Sequence, residues 1–446
     1  MLRTRFHYAF VVVVVTFCAL LISAGVRTAP SVIIRPLEAE FAWSRASISL
    51  AVAVSLFAFG FGAPLGGSLI DRFGTRRVMI GGLALIATGL LPLLGLTELW
   101  QLHIFWGLVV GIGTGAVAGT LGATVAPRWF NQHRGLVIGL FGAASAAGQL
   151  IFVPSLLAVT TSENWWVGMW RSAVGTASSH LTVLQVAPAA FGWRTVFFVL
   201  VMAVLVALLA AVLLMRDRPE DVGTKPVGEA LATNARSDVR FTALSDAVRT
   251  RDFWLLAGSF FVCGYTTNGL IGTHLLPHTL EHGFVEGEIA GALAVMGVLN
   301  IFGTLTSGWL SERFDNRKLL AAYYGFRALS LAALPFILEM RGMLLFAIVY
   351  GLDWVATVPP TINLTGQRFG RASLGTIYGW IYCSHMIGAG VASYAGGFFR
   401  DLLGDYHLIF ISAAVMGMIA VTLSLTISSP VKMRKLAEAA SLPATP

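Results

Sequence analysis

Gly67–Arg77 reads GSLIDRFGTRR and sits between two long apolar runs, and the phrase returns at Gly308–Lys318 as GWLSERFDNRK. At an offset of 241 residues, Gly67/Gly308, Leu69/Leu310, Arg72/Arg313, Phe73/Phe314 and Arg76/Arg317 are identical, while Asp71/Glu312 and Arg77/Lys318 keep their charge. A charged turn repeated at a fixed distance in an apolar chain marks an internal duplication, so the chain reads as two equivalent halves.

The surroundings of the two turns identify the solvent. Of 446 residues, 56% are apolar and only 12% charged, and the mean hydropathy is +0.77. Soluble domains carry about twice that charge, so this chain is solvated by lipid. A spanning helix needs about 20 mostly apolar residues. Such runs number twelve, roughly 8–34, 45–70, 77–97, 100–126, 134–160 and 192–215, then 253–277, 287–311, 318–338, 342–367, 373–399 and 406–429. The expected fold is an all-α membrane protein of twelve transmembrane helices in two six-helix bundles. Its expected divisions are a first bundle over 1–215, a polar cytoplasmic linker over 216–251, a second bundle over 252–430 and a cytoplasmic tail over 431–446. Arg3 and Arg5 precede an apolar run that continues past Gly25, which reads as an uncleaved first span. The end of the linker, FTALSDAVRTRDF, has the spacing of a short amphipathic surface helix.

With both termini inside, cytoplasmic segments hold 22 of the 30 Lys and Arg and the outer side seven, leaving Arg327 within a span. That asymmetry satisfies the positive-inside rule and accounts for the net charge of +8 without a nucleic-acid partner. The chain is therefore placed in the cell inner (plasma) membrane as a multi-pass protein. Cys18, Cys263 and Cys383 each lie inside apolar runs and read as buried, bland thiols. Between Pro154 and Trp193 runs an outer loop with Trp165, Trp166 and Trp170, read as an interfacial loop anchored at headgroup level, with a lid as the alternative.

Six plus six spans, the linker and the paired Gly-x-x-x-Asp/Glu-Arg turns resemble the major facilitator superfamily. Trp129 to Leu136 (WFNQHRGL), followed by Gly139, Ala143, Ala144, Ala147 and Gly148, is similar to the fifth-helix signature of its monocarboxylate transporter and oxalate/formate antiporter branch. The run Ile33 to Glu38 resembles the same branch. The resemblance implies a substrate site at the midplane between halves and a gating role for Asp71, Arg72, Arg76, Glu312, Arg313 and Arg317. The chain departs from the branch in helix 8, where Asn300 is present but the substrate-binding arginine position is Thr304. The basic residue late in helix 1 is shifted to Arg27.

Candidate residues follow from the chemistry. Arg27 can bind an anion bidentately or anchor an outer interface by snorkelling. Asp353 lies mid-span, where a charge costs roughly 2.5–3.5 kcal/mol on insertion scales. It is either a proton-coupling carboxylate or the fixed partner of Arg327. Asn268, Asn300 and Thr304 are neutral donors for a substrate. His385 can serve as a cation or proton relay, or pack as a neutral histidine. His274, His278 and His282 fall on one helical face and read as a polar cavity wall rather than a metal site. Gly142, Gly148, Gly297 and Gly303 are expected to permit sliding contacts between halves.

These readings converge on a secondary transporter, acting as a monomer by alternating access. The substrate is a small organic anion, monocarboxylate-like, moved by proton symport or anion exchange. No cofactor is called for, and no catalytic constellation suggests an enzyme. Export of a neutral or apolar solute, and a transporter-like membrane sensor, stay open.

Overall fold

The computed structural model describes residues 7–117, 119–131, 134–160, 192–228, 242–370 and 373–428. These residues are almost entirely helical, and the extended pairing among them is an isolated bridge between Phe130 and Val227. Inside a bilayer no water satisfies the backbone, so apolar runs of this length close their hydrogen bonds locally as helices.

The first half holds α1 (Tyr8–Phe41), α2 (Arg45–Phe73) and α3 (Thr75–Leu90), then α4, which runs Leu99–Ala116 and resumes as Gly119–Trp129. It closes with α5 (Arg134–Thr160) and α6 (Trp193–Leu214). The second half repeats the plan. Helix α7 runs Arg251–Gly264, a π-helical stretch Tyr265–Ile271, and Gly272–Glu281. Then come α8 (Glu286–Ser311), α9 (Asn316–Ala333), α10 (Met340–Asp353, broken and resumed as Val358–Phe369), α11 (Leu374–Leu403) and α12 (His407–Thr426). Among the described residues, nine of the twelve are long and apolar enough to cross a membrane by length and composition alone; α5, α7 and α11 complete the set.

Three elements differ from the sequence expectation. Helix α1 runs on to Phe41, two turns beyond the apolar stretch, because Glu38 and Glu40 find cationic partners in Arg45 and Arg194. Helix α4 is interrupted after Ala116. Helix α10 breaks at residues 354–357, just before Pro359–Pro360, whose missing N–H groups cannot continue the ladder. The linker end forms a single turn, Leu244–Ala247, before Thr250 caps α7. The 161–191 loop with its three Trp residues, linker residues 229–241 and the C-terminal tail lie outside the described residues.

The halves meet along α2 against α11 and α5 against α8. On α2–α11 the contact is close: a Cβ added to Gly397 would lie 2.6 Å from Ser49 Oγ, and one on Gly60 would lie 2.6 Å from Met386 Cβ. Two glycines expected to serve sliding between halves pack within halves instead. A Cβ on Gly148 would meet Leu21 O of α1, and one on Gly303 would meet Leu352 O of α10. They bring backbones together as small residues do in membranes, but inside each bundle.

The duplicated turn closes by two chemistries. Gly74 joins α2 to α3 with φ +87, a conformation that suits glycine, and Asp217 from the segment after α6 accepts from Thr75 Oγ1 (2.9 Å) and Arg76 N (2.8 Å). At the equivalent position of the second copy stands Asp315, which itself caps α9 by accepting from Arg317 N at 3.0 Å. Gly74→Ala places a Cβ 2.7 Å from Asp217 Oδ1 and forces a left-handed alanine, a cost of about 1–3 kcal/mol. Asp217→Ala removes a cap worth about 1 kcal/mol. Both variants are expected to melt below the wild type in detergent, Gly74→Ala the lower of the two.

Candidate functional site

A cavity of about 100 Å³ lies between the halves, lined by Arg27, Thr28 and Ser31 of α1, Val52 and Leu56 of α2, Asn268 and Thr273 of α7, Asn300 of α8 and Trp354 of α10, among others. On this measure one water needs about 10–15 Å³, so the space suits several waters or a solute of few heavy atoms. The π-helical stretch of α7 shapes it. One extra residue per turn swings Asn268 and Ile271 into the lining, and Tyr350 donates to Thr266 O (2.7 Å) where the ladder is disturbed.

Arg27 is half-buried, and among the described residues no carboxylate lies within ion-pair distance of it. Its guanidinium lies over the Phe59 ring at 4.3 Å, faces the Tyr382 phenol of α11, and leaves Nε without a hydrogen-bond partner. Burying an ion costs several kcal/mol unless the charge is compensated. A ring face and a phenol compensate it only in part.

Asn268 and Asn300 line the same cavity. Thr304 stands one turn behind Asn300 and donates to its backbone carbonyl (2.7 Å) and to Oδ1 (3.3 Å), which leaves the Asn300 Nδ2 as a donor. Thr304 therefore supports the lining from behind. His385 also stands behind it, with Nε2 3.3 Å from Asn268 Nδ2. Of the five expected substrate residues, Arg27, Asn268 and Asn300 reach the cavity.

Asp353 does not line the cavity. Its Oδ2 accepts from Arg327 Nε at 2.6 Å, and at the α10 break Arg327 Nη2 donates to Asp353 O (2.7 Å), which also accepts from Ala356 N, and to Trp354 O (3.2 Å). Arg327 Nη1 donates to Cys263 Sγ at 3.1 Å, so this thiol belongs to a polar cluster and is not the bland group expected. The guanidinium thus holds the broken helix together, and Asp353 Oδ1 alone keeps no partner.

At the repeated turns, Arg76 donates to Val212 O near the end of α6, and Arg317 donates to Ile427 O just past α12. In each half the same arginine ties the turn to that half's last helix. Arg317 also holds the Asp315 carboxyl, by hydrogen bond first, below the usual carboxylate range. That contribution is complete above the unfolded carboxylate pKa and is lost as pH falls through the lowered value. Arg72 stacks on Phe73 and Arg313 on Trp309, while Glu312 is exposed. The Asp71 side chain lies outside what is described.

The opposite end carries a network in which sequence reasoning counted Arg45 only as an outer charge and read His274, His278 and His282 as a cavity wall, though none of the three lines the cavity. Arg45, at the start of α2, binds Glu38 of its own half and Glu281 and Tyr406 of the other. Glu281 also pairs with Arg400 (2.9 Å), and Asp401 caps α2 by accepting from Arg45 N and Ala46 N. His274 stands beside Tyr406, and His278 packs edge-on against Tyr406 and Phe410 and tilted against His282. Arg45→Met is expected to shift the halves towards opening at this end by about tenfold, since a bond to a charged group contributes roughly 1.5–3 kcal/mol. Spin labels at exposed Ala42 and Leu403 would register the longer distance; an unchanged distribution would exclude a closing role.

Two halves of six helices, a cavity between them and paired turns meet a direct sequence match: residues 15–393 fit the profile of the Major Facilitator Superfamily. The chain belongs to that superfamily. Its relatives include the oxalate:formate antiporter of Oxalobacter formigenes, 24% identical over 95% of this chain and 91% of that protein. Monocarboxylate transporter 12-B of Danio rerio is 25% identical over 78% and 72%. In fold, this superfamily member is similar to a bacterial homologue of the human lysosomal transporter Spinster in its inward-facing, occupied conformation, with a TM-score of 0.72 at 15% identity, covering 98% of this chain and 100% of that one.

Sequence reasoning missed Tyr382, Phe59 and Trp354. A signal existed for Tyr382, since Tyr378, Tyr382 and His385 recur at helical spacing on α11. Phe59 and Trp354 carried none beyond lying in apolar spans.

Proposed function

We propose that this chain is a secondary active transporter of a small organic anion, most simply a monocarboxylate, moved by alternating access with a proton or in exchange for another anion. The observation that carries this reading is Arg27, a cavity-lining guanidinium with no carboxylate partner among the described residues and an unpartnered Nε. A carboxylate would complete it bidentately, with Asn268 and Asn300 as neutral contacts and Leu275, Met296 and Trp354 around a short apolar tail. Transport of monocarboxylates or of oxalate and formate by the named relatives supports the anion class. The arginine sits on α1 here, not at the Thr304 position. One chain supplies the whole cavity, so a monomer suffices. The basic turns and the linker gather at one end, placed on the cytoplasmic side of the inner (plasma) membrane together with both termini.

The test is uptake into proteoliposomes of labelled formate, lactate, pyruvate and oxalate against the neutral lactamide, with and without an inward acid gradient. Saturable uptake of at least one acid, with lactamide excluded, is expected. Flux of the neutral solute alone would replace the reading by neutral-solute transport, and ligand binding without flux would replace it by a sensor.

A further inference from the structure

On α11, Tyr382 and His385 form a polar step between the cavity and the buried Arg327–Asp353 pair. The His385 ring lies parallel to Tyr382, with centroids 5.5 Å apart and planes 10° apart, and the Tyr382 phenol faces Arg27 across the interface between halves. His385 Nε2 is 3.3 Å from Asn268 Nδ2, while its Nδ1 is buried without a partner. From α7, Phe260 packs on the imidazole and the Cys263 thiol lies against it. Arg327 of α9 and Asp353 of α10 reach it only through that thiol. The charged groups around His385 are thus Arg27, through Tyr382, and the internally paired Arg327 and Asp353.

We infer that His385 is the proton-carrying side chain of the transport cycle and that Asn268 transmits its charge state to the cavity. An amide nitrogen only donates, so a ring nitrogen facing it accepts, and the neutral imidazole carries its proton on Nδ1. In that state the Asn268 amide has Oδ1 and a single Nδ2–H left for the cavity, and the acceptor disfavours an anion. A proton from water adds to Nε2, both ring nitrogens then donate, and the Asn268 amide must turn to offer Oδ1 to the ring. Its Nδ2 becomes the donor facing the cavity, so a carboxylate at Arg27 gains a hydrogen bond and a nearby cation together. Release of the proton on the other side reverses the amide and weakens anion binding.

This inference rests on the anion-transport reading, and the experiment separates the two. Wild type, His385→Gln and Asn268→Leu are reconstituted, and uptake of formate, lactate, pyruvate and oxalate is measured with and without an inward acid gradient. The gel-filtration profile and the thermal unfolding of each purified protein without anion report folding. For the acid that the wild type accumulates, the ratio of uptake with gradient to uptake without is expected to collapse in both variants. A second readout is the pH profile of anion protection against thermal unfolding in the wild type and in His385→Gln, expected to flatten in the variant. Retention of the wild-type ratio and profile in His385→Gln overturns the inference and leaves anion transport standing. Wild-type exchange indifferent to the gradient overturns it likewise. Absence of wild-type flux for all four acids removes the underlying reading and this inference with it.

Discussion

Asp353→Asn is expected to destabilise the folded protein by about 3–5 kcal/mol, the scale seen when one partner of a buried ion pair is removed. Arg327 is fully buried. Its charge would then be left with neutral acceptors alone: the amide, Cys263 Sγ, Thr266 Oγ1 and two backbone carbonyls. Those carbonyls, Asp353 O and Trp354 O, lie at the break ahead of Pro359–Pro360, so the pair and the broken helix stand or fall together. The double variant Arg327→Met/Asp353→Leu removes both charges. It should recover part of the loss but not all, because Trp354 O loses its Arg327 donor and Asp353 O is left with Ala356 N. Thermal unfolding of purified protein followed by tryptophan fluorescence reads both effects. If Asp353→Asn melts with the wild type and loses acid-driven accumulation, Asp353 is a proton carrier and its assignment here as a structural partner is wrong.

Arg27→Gln carries the second large effect, on binding rather than folding. A hydrogen bond to a charged group contributes roughly 1.5–3 kcal/mol, so losing the guanidinium should weaken carboxylate binding by about tenfold to a hundredfold. The protein itself should fold, because Arg27 has no carboxylate partner among the described residues to leave stranded. Arg27→Lys keeps the charge but not the planar fork, and should fall between the two. Affinity read from anion protection against unfolding, across formate, lactate and oxalate, checks the order. Equal protection in all three proteins would return Arg27 to the status of an interface anchor.

Much of the architecture was legible because a bilayer leaves the backbone few choices. Apolar length gave the spans, and the repeated turn gave the two halves. The interruptions were less legible. A proline pair, Pro359–Pro360, at least accompanies the α10 break, but no proline marks the π-helical stretch at Tyr265–Ile271, which follows from α7 packing on Tyr350 and α11. At the site, Arg27 and Asn300 could be named because polar groups in apolar runs stand out. Pairings were less legible. Arg327 could be offered to Asp353, 26 positions away, as one of two readings, but nothing pointed from Arg45 to Glu281 across 236. Such a partnership is set by helix packing and leaves no local pattern. Tyr382 illustrates the limit: an aromatic at helical spacing reads as core until its hydroxyl is seen to face a cation.

The most direct test of the central claim is carboxylate counterflow, with wild type and Arg27→Gln reconstituted at matched, correctly folded amounts. Vesicles preloaded with unlabelled formate, lactate, pyruvate or oxalate are diluted into the labelled acid, with lactamide as the neutral control. The expected result is a transient overshoot of at least one acid in the wild type, no overshoot of lactamide, and its loss in Arg27→Gln. A wild-type overshoot that survives intact in Arg27→Gln, or one seen for lactamide alone, would contradict an anion site built on that arginine.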